Sequence, residues 1–67
     1  MIPANAIVDV IRPATPVGLG QFRVEVWGRE PHDYVRVYTV DAKSDTLAAQ
    51  DGLRQFDEEI SALLSEG

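Results

Sequence analysis

Residues 22–38 read FRVEVWGREPHDYVRVY, two runs of alternating side chains separated by a polar break that contains a proline. Alternation with period two marks a strand that presents different chemistry to its two sides. The spacing predicts strands over 21–27 and 34–41, with GREPHD turning the chain between them and Pro31 unable to donate to a ladder. Directly opposed residues of an antiparallel pair point to the same face, so register decides what each face carries. One register sets Val26 against Val35, Val24 against Val37 and Phe22 against Thr39. Behind them it sets Trp27 against Tyr34, Glu25 against Arg36 and Arg23 against Tyr38. A slip of one residue sets valines against Arg36 and Tyr38, so the first register is expected. It gives an aliphatic face for a core and a second face of Arg23, Glu25, Trp27, Tyr34, Arg36 and Tyr38.

Upstream, AIVDVIR at 6–12 is rich in β-branched residues and lies between Pro3 and Pro13, as a first strand would. Ile7, Asp9 and Ile11, or alternatively Val8 and Val10, can form its inner side. PATPVGLG at 13–20 holds two prolines and two glycines and reads as a loop. Downstream, a helix is expected over 45–65, with Ser44 as N-cap and Asp45 at the positive end of the dipole. Ala49, Leu53, Phe56, Ile60 and Leu63, joined by Gly52 and Leu64, fall on a stripe ~120° wide, opposite Asp51, Glu58 and Ser65. Gly52 inside a helix costs ~1 kcal/mol relative to alanine, and close approach of helix to sheet is the expected reason. The fold class is therefore α+β in the order β-β-β-α: a three-stranded antiparallel sheet with one C-terminal helix packed on one face. The last turn, with Leu63 and Leu64, is expected to project past the sheet. Residues 1–67 form a single small domain with no repeat.

A chain of 67 residues buries only ~60% of the surface its unfolded form exposes. It contains no cysteine and one histidine, so neither disulfides nor a structural zinc site is expected to supplement the core. Self-association is the remaining common device. Apolar runs are too short for a membrane span. MIPANAIVDVIR lacks the basic and apolar regions of a secretory signal, and a cytoplasmic protein is expected. The net charge of −5 lies wholly in residues 41–67, where seven acids face Lys43 and Arg54. Residues 1–40 balance four acids with four arginines. Such a chain repels phosphate as a whole, which argues against tight nucleic-acid binding.

Little in the sequence suggests reaction chemistry. His32 beside Asp33 could be a base with its orienter or part of a ligand set, but no nucleophile or further ligand accompanies it, and a polar turn explains both. Gly18-Leu19-Gly20 precedes a strand, whereas phosphate cradles place their glycines at a helix N-terminus. Asp41 to Asp45 puts Lys43 in the middle of any calcium loop. Asp57-Glu58-Glu59 reads as a solvated helix flank. No catalytic, cofactor-binding or metal-binding residue, no cofactor and no small-molecule substrate is expected, and the chain is not read as an enzyme.

The Arg/aromatic face stands out. Trp, Tyr and Arg supply most protein-interface hot spots, while arginines interleaved with aromatics also suit stacking and backbone contact to nucleic acid. A partly solvated face, whose aromatics shelter their cross-strand neighbours, is the third reading. The face carries both charge signs, so two copies could meet about a two-fold axis. FRVEVWG and VRVYTVDAKSDTLAA, about a third of the chain, resemble in their order of elements the sheet-plus-helix DNA-binding domains of plant AP2-type factors and phage integrase arms. That resemblance implies a sheet reading the major groove, with Arg23, Arg36 and Trp27 as the imitated residues. The acidic helix and few basic residues depart from it. The expected role is a small bacterial or phage-type accessory protein that binds as a homodimer or to another protein. The alternative is a nucleic-acid-binding module using Arg23, Trp27, Tyr34, Arg36 and Tyr38. An acidic helix acting as a phosphate mimic, through Asp51 and Glu58, is a third possibility.

Overall fold

The computed structural model describes residues 3–29 and 32–66. Three strands, β1 (Asn5–Arg12), β2 (Gly20–Gly28) and β3 (Tyr34–Ala42), form an antiparallel sheet in the order β1-β2-β3, and α1 (Asp45–Glu66) follows. The expected β-β-β-α order is what the chain adopts. The role proposed for Pro31 in the turn lies outside the described residues.

β2 is the central strand and supplies the floor of the core. Gly20, Phe22, Val24, Val26 and Gly28 are all buried on its helix-facing side. Val40 and Ala42 of β3 and Ala48, Phe56 and Ile60 of α1 complete the buried set, with Ala6, Val8 and Leu53 packed at its margin. The open choice on β1 resolves in favour of the Val8 and Val10 side, which with Ala6 opposes Val24, Phe22 and Val26, while Ile7 and Asp9 turn away. Val10 is nevertheless 57% exposed, and of the three only Ala6 and Val8 pack on the core. A bulge between Val10 and Arg12 interrupts β1 near its end.

The loop after β1 is tighter than its composition suggests. Thr15 and Gly18 exchange both backbone hydrogen bonds, at 3.0 and 3.3 Å, around Pro16 and Val17. Proline presets the backbone angle of the second turn residue, and Val17 stands 95% exposed at the tip. Behind it the loop crosses Gly20 so closely that a Cβ there would lie 2.6 Å from the Ala14 nitrogen.

Ser44 caps α1 as expected, its hydroxyl accepting from the Leu47 N–H at 3.2 Å. The helix meets the sheet at Gly52, where a Cβ would stand 2.5 Å from Val24 Cγ1. That contact explains the glycine. The buried stripe runs through Ala48, Gly52, Phe56 and Ile60, with Ala49 and Leu53 half-buried beside it. It is turned slightly from the expected axis, because Ala48 takes the inner place given to Ala49. Beyond Ile60 no described helix residue is buried, and Leu63 and Leu64 remain 43% and 41% exposed. The apolar stripe thus continues past its support, and the molecule extends 44 Å along its longest axis.

Candidate interaction surface

The six residues expected to share one face are divided between two. β3 pairs with β2 in the register that the sequence reading rejected: Val24 opposes Tyr38, Val26 opposes Arg36 and Phe22 opposes Val40. Tyr34, Arg36 and Tyr38 therefore point toward the helix side, whereas Arg23, Glu25 and Trp27 point away from it. Val35 and Val37, expected in the core, stand on the open face at 57% and 48% exposure.

The physical reason lies in α1. Glu59 occupies the flank of the helix that overhangs β3. The Arg36 Nε donates to its Oε2, and the Tyr38 hydroxyl donates to its Oε1 at 3.1 Å. Tyr34 and Tyr38 lay their rings against the core margin, and the Arg36 guanidinium stands 6.0 Å from the Tyr34 ring centre. Long amphipathic side chains can cover apolar surface while their polar tips stay near water. Here they roof the edge of a core that one helix is too narrow to cover. Burial, then the hydrogen bond and negative charge of Glu59, raise the Tyr38 pKa from 10.0 to about 12, against the lowering effect of Arg36. Val40 and Ala42 share the parity of Tyr38, and Phe22 against Val40 is a better core pair than Phe22 against Thr39. That pairing was the signal available in the sequence.

The open face is a grid of short rows. Asn5, Trp27 and Val35 form one; Ile7, Glu25 and Val37 the next; Asp9, Arg23 and Thr39 the third. Ile7, Trp27, Val35 and Val37 adjoin one another around Glu25, and Ile7 is 50% exposed. Arg23 is bracketed by Asp9 at 3.5 Å and Glu25 at 3.7 Å. Pairs this exposed are worth ~0–1 kcal/mol, but they leave the arginine locally neutralised. The result is an apolar patch beside a charged row of mixed sign.

The remaining candidates form no reactive cluster. His32 is exposed and meets the Tyr34 ring edge-on, with centroids 6.2 Å apart. Trp27, Arg29, Asp33 and Tyr34 border an open depression of about 380 Å³ at the hairpin end. Among the described residues no three His, Asp or Glu side chains converge as metal ligands, and no helix is long and apolar enough to cross a membrane. On the outer side of α1, Arg54 bonds to both Asp51 and Glu58. The two acids assigned to a phosphate-mimicking face are therefore tied to a cation. No protein-family model, curated protein or solved structure matches the chain.

Proposed function

We propose that this chain is a non-enzymatic interaction module that self-associates through its sheet, using the face the helix leaves bare. The observation that carries the reading is the adjoining set of Ile7, Val35, Val37 and Trp27, three of them aliphatic and about half exposed. An exposed apolar cluster around a single acid on so small a protein marks a contact site. Arg23 and Asp9 in the neighbouring row, with Glu25 beside them, offer both charge signs to a second copy.

Magnitude sets the assay. Burying the exposed half of each aliphatic side chain gains ~1 kcal/mol, so six such side chains across two copies gain ~5–9 kcal/mol. Association costs at least ~4 kcal/mol, which leaves at most ~5 kcal/mol and a dissociation constant of about 0.2 mM or weaker. Light scattering or sedimentation equilibrium from about 10 µM to about 5 mM crosses the tight end of that range. The mass should rise toward two chains, and a contact through the bare face requires Ile7→Glu to return it to one. A single-chain mass throughout, for the native sequence, overturns the self-association reading.

A nucleic-acid contact drew its argument from Arg23 and Arg36 acting together with Trp27, Tyr34 and Tyr38. Those residues now stand on opposite sides of the sheet, with Arg36 paired to Glu59 and Arg23 flanked by acids. No observation favours that alternative over a protein contact.

A further inference from the structure

The two edges of the sheet are not alike. β1 carries a bulge between Val10 and Arg12 and is followed directly by Pro13 and the folded-back loop, devices that discourage strand addition. β3 runs nine residues in unbroken register with β2 and contains no proline, glycine or lysine. Among the described residues its backbone takes one side-chain bond, from the Arg36 Nη1 to the Val35 carbonyl at 2.9 Å. A long, regular edge with exposed valines is a template for another strand.

From this contrast, resting on self-association but placing its contact at the sheet edge instead of the bare face, we infer that two copies join β3 to β3 about a two-fold axis at Val37, making one continuous six-stranded sheet. Ile7→Glu should then leave the pairing intact. An antiparallel pairing of identical edges has its axis normal to the sheet, so both helices fall on one side and both open faces on the other. The side chains choose the register. An axis at Arg36 sets two guanidinium groups against each other. An axis at Tyr38 brings together two hydroxyls that each bind a Glu59 carboxylate. With the axis at Val37, that valine meets its own copy on the open side, and Val35 meets the partner's Thr39. On the helix side each Arg36 lies opposite the partner's Tyr38, whose hydroxyl holds the partner's Glu59. Arginines and carboxylates then alternate along the seam.

Size favours this joint over stacking the two bare faces. Three strands ~4.8 Å apart and ~30 Å long present a footprint of ~400 Å², about half of the ~800 Å² per partner in a standard interface. Strand addition contributes main-chain hydrogen bonds that a stacked contact lacks. It also doubles the open face to ~800 Å², the size a further partner would require.

Amide hydrogen exchange read by NMR, at about 10 µM and about 1 mM alongside the mass measurement, tests the joint. In a single chain every second amide of β3 bonds to β2, and the amides between them exchange freely. The inference expects the average mass to rise and the free set to slow in proportion to the unpaired fraction, about twofold where half of the chains are paired. If the mass rises while that set keeps exchanging freely, the edge joint is wrong and self-association by another surface stands. If the mass stays at one chain up to the highest concentration, both readings fall.

Discussion

Replacing Gly52 with alanine sets local preference against packing. In a helix interior the exchange ordinarily stabilises by ~1 kcal/mol. Here the new Cβ would stand 2.5 Å from Val24 Cγ1, 3.0 Å from Val24 Cβ and 3.5 Å from Val26 Cγ2. Val24 is wholly buried in the central strand, and a β-branched side chain has little freedom to rotate away. Either α1 lifts from the sheet or β2 bends, and overpacking of this kind costs ~1–3 kcal/mol. The contact is severe, so the upper part of that range applies and the net loss should be ~1–2 kcal/mol. For a domain of this size that lowers Tm by about 5–15 °C. Urea denaturation followed by circular dichroism should show a lower midpoint with an unchanged slope. In a Val24→Ala background the Cγ1 contact is gone and the 3.0 Å approach to the Cβ remains, so the loss on Gly52→Ala should shrink toward zero. If Gly52→Ala raised the midpoint of the otherwise native chain, the helix could not be seated on Val24.

Three further outcomes follow from named contacts. Ser44→Ala removes the acceptor for the Leu47 N–H and should cost ~1 kcal/mol in the urea midpoint. Spectrophotometric titration should find Tyr38 ionising at about 12, and Glu59→Gln should bring it back toward 10.0. Because the folded-state value lies above the ordinary one, the stabilisation linked to Tyr38 is complete below pH 10 and is lost as the pH climbs toward 12. Thermal melts of the native chain and Glu59→Gln across that window should therefore converge. Val35→Thr, on the open face, should change single-chain stability by no more than ~0.5 kcal/mol at low concentration. A larger loss would mean that Val35 lies inside the core.

The architecture was legible because its signals are local and mutually consistent. Alternation in β2, Ser44 before a periodic apolar run and Gly52 within it each predict a feature that the structure contains. The register was not, because it depends on a partner far along the chain. Matching valine with valine is sound when a strand's polar side chains have no other destination. Arg36 and Tyr38 have one in Glu59, 23 and 21 residues downstream, and a helix narrower than its sheet leaves room for both. Half of the expected surface was misplaced for that reason. Arg23, Glu25 and Trp27 were correctly assigned to the side away from the helix, since the central strand has no such freedom: Phe22, Val24 and Val26 must all face inward.

The Thr15–Gly18 turn fastens itself by its own main chain and leaves Val17 almost wholly in solvent. Extra residues spliced between Pro16 and Val17 would meet neither the hydrophobic interior nor the β3 margin. This apex is thus a suitable place to graft a fluorophore-bearing peptide. Such a tag would report whether chains come together without touching the strands that bring them together.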